Sequence, residues 1–169
     1  MRQPLYAHLL HENQRLRQKI QHMIRCPRWH ILTNVGLCDA VQTLHVGVYD
    51  VVYADLDRLH EANEHLGHDE VDRRMRHALA VRETDVVIAG RWLSGDELVF
   101  LVPAGDGAKT AKRLQITLKA VGLSATWVVI PADVIPSYGR AIARAMACVE
   151  HAKRMQLRGY VFIDTWCSP

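Results

Sequence analysis

Long apolar runs, paired cysteines and dense basic clusters are all missing from this sequence, and each absence removes a class of function. No apolar stretch among the 169 residues approaches the roughly 18 needed to cross a membrane, and the N-terminus lacks a secretory pattern. The expectation is a cytoplasmic protein with no membrane partner. Cys26, Cys38, Cys148 and Cys167 form no C-x-x-C pair, which points to reduced thiols rather than a disulfide frame or zinc site. His60, His65 and His68 lie close together but lack a fourth ligand or clean helical spacing, so they read as surface or structural histidines. The formal charge of +3 permits a phosphate-bearing ligand, yet no Lys/Arg cluster is dense enough for a nucleic-acid groove. There is no repeat and no low-complexity segment. The length suits one domain with a small appendage.

What is there is organised around Ser94-Gly95-Asp96-Glu97-Leu98. Apolar runs at 86–93 and 99–103 flank it, and two such runs joined by a small-residue pair read as a hairpin. Acids placed between a Gly turn and an apolar strand need a cation or a donor. A comparable acid, Asp55, ends the apolar strand 46–54. Two strand-end carboxylates on neighbouring strands are a minimal apparatus for holding Mg²⁺ against a nucleoside triphosphate.

Residues 5–25 read as a helix with a narrow apolar seam: Tyr6, Asn13 and Ile20 at one heptad position, Leu9, Leu16 and Met23 at the other. That pattern suits a parallel coil with one register-fixing Asn, or a helix packed on its own domain; Pro27 is expected to end it. The resulting division is an N-terminal helix at 1–27, a candidate dimeriser, and a domain at 28–169. Within the domain an irregular segment at 29–36 precedes a short helix at 37–44. Further helices are expected at 58–65, 69–81, 108–120 and 138–156, with strands at 123–130 and 160–163. Val71, Met75, Ala78 and Leu79 should face inward, as should Ala111, Leu114, Ile116 and Leu118. Hairpin plus interleaved helices argues for an α+β fold with a mixed, largely antiparallel sheet.

Asp55-Leu56-Asp57, Asn63, Gly67-His68 and Asp72 fall in order on a spacing that resembles the first half of a GGDEF domain, D-x-D-x-F-K-x-x-N-D-x-x-G-H-x-x-G-D. Ser94 to Leu98 is similar to its signature turn, with Ser for Gly and Leu for Phe. Leu32-Thr33 echoes its opening D-x-L-T, and Ala152-Lys153 the A-K of its last helix. The resemblance implies a ferredoxin-like palm and, where sites are intact, a diguanylate cyclase. Such an enzyme condenses two GTP into cyclic di-GMP and releases pyrophosphate, with Mg²⁺ (or Mn²⁺) as cofactor and a homodimer as the working unit. Carried over by position, Asp55 and Asp96 would hold metal with the Leu56 carbonyl, and Glu97 would assist. Ser94 and Gly95 would let the backbone approach phosphates, Asn63 and Asp72 would read guanine, and Lys153 and His60 would lie toward the triphosphate. Asp72 can accept from guanine N1–H and its exocyclic amine, whereas adenine would leave it unpaired at a cost of about 1–3 kcal/mol. The other reading of Asn63 and Asp72 is turn-former and helix cap.

Several positions depart from the family pattern. His30 replaces the opening Asp, Leu59 and His60 replace its aromatic and Lys, and Leu157 stands where a base is expected, with Arg158 one further on. Arg91 lies three, not two, residues before the turn. Arg82-Glu83-Thr84-Asp85 has the letters of the family's product-inhibition site at the wrong spacing, and reads equally as charges at a helix end. Three functions fit: a cyclase, a GTP-binding module without turnover that acts on an unidentified effector, or a palm cyclase making another cyclic dinucleotide.

Overall fold

The computed structural model describes residues 15–16, 19–20, 23–80 and 86–164. In order these form β1 (Arg25–Cys26), β2 (Ile31–Leu32), α1 (Asn34–Gln42), β3 (Tyr49–Leu56), α2 (Leu59–Leu66), α3 (His68–Ala80), β4 (Ile88–Arg91), β5 (Glu97–Pro103), α4 (Gly107–Ala120), β6 (Ala125–Ile130), a 3₁₀ turn at Ala132–Val134, α5 (Tyr138–Arg154) and β7 (Val161–Ile163). The seven strands make one sheet in the order β1-β2-β4-β5-β3-β6-β7. Pairing is antiparallel except for β2 with β4 and β6 with β7. The inner four, read β6-β3-β5-β4, have the strand order of a ferredoxin-like core.

Strand β3 is the spine. Val51, Val52, Tyr53 and Ala54 are all buried, because helices cover both faces. Alternation divides them. Val52, Ala54 and Leu56 pack with Leu98, Phe100, Trp127 and the inward residues of α3 and α4. Val51 and Tyr53 pack with Val99, Leu101, Val128 and the Leu37, Ala141, Ile142, Ala145 and Val149 side of α1 and α5. Phe100 and Trp127 stack with centroids 6.1 Å apart, worth about 0.5–1.5 kcal/mol beyond their burial.

Four expectations shift. The segment at 29–36 is not irregular throughout, since Ile31–Leu32 forms β2 against β1. Helical residues stop at Ile24 and Arg25 is already strand, so the N-terminal helix ends before Pro27 rather than at it. The α1 helix begins at Asn34 because Thr33 caps it, accepting from Gly36 N at 3.3 Å. Ile116 is 66% exposed, so the inward stripe of α4 is Ala111, Leu114 and Leu118 without it. Most of residues 5–25, and Arg82-Glu83-Thr84-Asp85, lie outside the described residues.

Helix α5 ends in a Schellman stop. Leu157 N donates to Ala152 O at 2.9 Å, Gln156 N donates to Lys153 O at 3.1 Å, and Gln156 takes a φ of +60°. A Cβ-bearing residue in that region costs about 1–2 kcal/mol, against about 0.5–1 kcal/mol of extra unfolded-chain entropy for Gly. Gln156→Gly is therefore expected to raise stability by about 0.5–1 kcal/mol. Urea midpoints check this, and an unchanged or lower midpoint would refute the strain at Gln156.

Candidate active site

The β3–β5 register sets Asp55 directly opposite Glu97, and the β3–β6 register sets it opposite Thr126. Alternation turns all three to the face that α5 covers, alongside Val51 and Tyr53. There Lys153 of α5 meets them. Its Nζ lies 2.5 Å from Asp55 Oδ1, 3.7 Å from Asp57 Oδ1 and 3.4 Å from the Leu56 carbonyl oxygen. Burial raises the Asp55 pKa, the Lys153 ammonium pulls it down, and Asp96 and Glu97 push it up again; the net shift is upward. Asp57 accepts from Thr126 Oγ1 at 2.9 Å and Ser124 Oγ at 3.2 Å, with Arg158 Nη1 at 3.9 Å.

Glu97 is 8% exposed and holds the turn from inside. Its Oε1 accepts from the Tyr53 hydroxyl at 2.7 Å and its Oε2 from Ser94 N at 2.9 Å. Burial works to raise its pKa, but these hydrogen bonds outweigh burial and the carboxyl sits below its ordinary value. The Tyr53 hydroxyl is correspondingly raised, by burial first and then by Glu97. Ser94 Oγ donates to Asp96 Oδ1 at 2.7 Å, and the Asp96 carbonyl accepts from Leu56 N at 3.0 Å, which ties the turn to the end of β3. Gly95 has a φ of +88°, and a Cβ there would lie 2.5 Å from Arg91 Nη2. Arg91 needs that approach, since its Nε and Nη2 donate to Gly95 O at 3.0 and 2.6 Å.

The same Arg91 lies over the Trp29 ring, 4.5 Å from its centroid. Trp29 Nε1 in turn donates to Asp72 Oδ1 at 2.7 Å, while Arg28 Nε is 3.8 Å from Asp72 Oδ2. Asp72 sits within α3, so it is not that helix's cap. Asn63 is half-buried on α2, where its carbonyl accepts from Gly67 N at 2.9 Å. His60 is exposed and lies 3.2 Å from Glu64 Oε1 along its own helix. The acid centre thus comprises Asp55, Asp96, Glu97 and Lys153, with Asp72 connected to it through Trp29 and Arg91.

No family model matches this sequence, and no curated protein does. Solved structures do match. The diguanylate cyclase SiaD of Pseudomonas aeruginosa, solved with its activator SiaC, superposes at a TM-score of 0.68 with 21% identity, over 96% of this chain and 72% of that one. A microbial GGDEF domain characterised with cyclic di-GMP gives 0.69 at 22% identity, over 85% of this chain and 98% of its own. The S helix–GGDEF–EAL part of Vibrio cholerae LapD gives 0.66 at 14% identity, over 92% of this chain and 41% of that one. The fold is that of a GGDEF domain.

Within this GGDEF fold the sequence alone pointed to the acids but not to what holds them. Tyr53 could have been found from alternation, two residues before Asp55 on the same face. Trp29 carries no local signal, because its partner Asp72 is 43 residues away. Among the described residues no group of three or more His, Cys, Asp and Glu side chains is arranged to hold a metal ion. A divalent ion here would rest on two carboxylates and a backbone carbonyl, with waters and phosphate oxygens completing its shell, as suits Mg²⁺. The Lys153 ammonium against Asp55 Oδ1 and Leu56 O stands in for such a cation, so the donor set fits one.

The Glu97 geometry has a pH signature. Glu97→Gln leaves one acceptor oxygen for two donors, expected to cost about 1–3 kcal/mol at pH 7. Because the folded pKa of Glu97 is lowered, its contribution is present above the unfolded value of about 4.3 and is lost as pH falls through the folded value. The stability gap between wild type and Glu97→Gln should therefore close on acidification below about pH 4. Denaturant titrations at both pH values measure it, and a gap independent of pH would refute the ionised pairing.

Proposed function

We propose that this chain is a nucleotidyltransferase that condenses two GTP into cyclic di-GMP with release of pyrophosphate. The observation that carries the reading is the convergence of Asp55, Asp96 and Glu97 at one end of the β3–β5 pair, beneath a cation from α5, in a GGDEF fold. A divalent metal held by Asp55, Asp96 and the Leu56 carbonyl would lower the pKa of the attacking 3′-hydroxyl and neutralise charge on the leaving pyrophosphate. Glu97 keeps the turn in place through Tyr53 and Ser94, and Gly95 keeps it open to a phosphate. A cleft of ≈ 470 Å³ beside the turn, lined in part by Arg28, Asn34, Arg91, Ser94 and Gly95, supplies room and positive charge for part of a nucleotide. Asn63 and Asp72 read guanine. His60, exposed on α2, is at most an outer contact of the triphosphate.

Each domain holds one nucleotide, so a cyclic dinucleotide needs two domains face to face. The exposure of Leu16 (47%), Ile20 (54%) and Met23 (61%), one apolar stripe at helical spacing, supports residues 1–27 as the homodimerising element of the 28–169 domain. Such an element raises the effective concentration of the two half-sites. The site of action is the cytoplasm.

A second reading has its own support: one oxygen of Asp72 is already taken by Trp29, and Asp55 is covered by Lys153. A GTP-binding module without turnover would tolerate both. Incubation with GTP, ATP and Mg²⁺ followed by mass spectrometry separates the readings. Cyclic di-GMP supports the first, saturable GTP binding without product the second, and another cyclic dinucleotide would correct the substrate.

Asp96→Asn can still accept from Ser94 and is expected to stay folded. It should lower turnover at least about a thousandfold, since metal stabilisation of phosphoryl charge is worth several kcal/mol. Normal product formation by the folded variant would sink the metal assignment. Asp72→Asn keeps an acceptor for Trp29 but turns an amide toward the base. It should shift relative affinity from GTP toward ATP by about tenfold or more. Unchanged discrimination would reduce Asp72 to a tie for Trp29.

A further inference from the structure

Lys153 is already the cation of this site. Its side chain is 17% exposed, and the shortest two of its three contacts, 2.5 and 3.4 Å, go to Asp55 Oδ1 and Leu56 O. Those are two of the three oxygens that the proposed reading gives to the divalent metal. A metal such as Mg²⁺ sits about 2.0–2.1 Å from its ligands in a near-octahedral shell. Lone pairs directed at an ammonium cannot serve a metal at the same point. Two cations sharing one carboxylate oxygen would also repel each other in poorly screened space.

We infer that Lys153 is a tethered competitor of the metal: its ammonium closes the seat at Asp55 and Leu56, and opens it when a triphosphate draws the ammonium away. This rests on the metal reading above. The surroundings suit an exchange. Lys153 lies in the last turn of α5 beside buried Ala152, so its backbone is fixed by the Schellman stop while its long aliphatic stem can swing. When it leaves, Asp57 keeps Thr126, Ser124 and Arg158 as partners. Of the two acids that Lys153 contacts, Asp55 is then the one left without a cation among the described residues, and the metal supplies one. Nucleotide and metal therefore load together, and metal alone binds weakly.

The test is Mn²⁺ binding to the full chain with no nucleotide present, read by electron paramagnetic resonance of free Mn²⁺. Lys153→Met keeps the stem and removes the charge; Lys153→Gln replaces it if the Met variant does not fold by circular dichroism. The expected result is at least a tenfold tighter Mn²⁺ affinity than wild type, abolished by adding Asp55→Asn. Equal affinity in wild type and Lys153→Met, lost in both on Asp55→Asn, overturns the competition and leaves the metal reading standing. A gain that survives Asp55→Asn places the ion elsewhere and overturns the inference. No binding by either protein at millimolar Mn²⁺ overturns the metal reading itself and the inference with it.

Discussion

Carboxylates gathered at the end of one strand pair repel each other and lose water, so something must supply the opposite charge. Here the Lys153 ammonium supplies it to Asp55 and, together with the Arg158 guanidinium, to Asp57, and the site's geometry is arranged to receive the ammonium. The two ends of β3 make the point by contrast. Asp50, 4% exposed at one end, accepts from three backbone N–H groups, those of Gly105, Gly107 and Ala132, at 2.8–2.9 Å. Backbone donors belong to the fold and cannot leave, so Asp50 is a structural acid. Asp55, at the other end, relies on a side chain at the end of a flexible stem. One acid is satisfied permanently and the other exchangeably, and the exchangeable one sits at the signature turn.

The turn itself is braced from both sides of the sheet edge. From beneath, Glu97 takes the Ser94 N–H and the Tyr53 hydroxyl. From the side, Arg91 takes the Gly95 carbonyl twice, and Trp29 carries the guanidinium on its face. The indole N–H of that ring spends itself on Asp72. One aromatic ring therefore links the turn at Gly95 to helix α3. Arg76 Nη1 donates to Arg28 O at 2.9 Å, which fixes the turn on which Trp29 stands.

Periodicity made much of this legible in the sequence. The buried strand before Asp55, the hairpin around Gly95 and the inward stripe of α3 all follow from spacing, because packing against a sheet demands that spacing. Neighbouring strand ends for Asp55 and Asp96-Glu97 followed from the same reading. What escaped was set by long-range contact. Nothing local marks Ile31 and Leu32 as a strand; they pair because Leu32 meets Gly90 of β4. Ile116 looked inward because it is apolar, but α4 buries a narrower stripe through Ala111, Leu114 and Leu118 and leaves it outside. Trp29 is invisible as a site residue until the fold brings α3 beneath it.

The absence of a base four residues after Lys153 has a geometric explanation of the same kind. Counting four residues on from Lys153 along an ideal helix reaches Leu157, which carries no charge. The helix does not run that far. It stops at Arg154, and the left-handed Gln156 turns the chain, so Leu157 is spent on closing the helix through Ala152 O. The next residue is then thrown back toward the acids, and Arg158 reaches Asp57 at 3.9 Å. A helical count is the wrong ruler past a Schellman stop. The base is displaced by one residue in sequence while still reaching Asp57 in space, and its position depends on the left-handed conformation at Gln156.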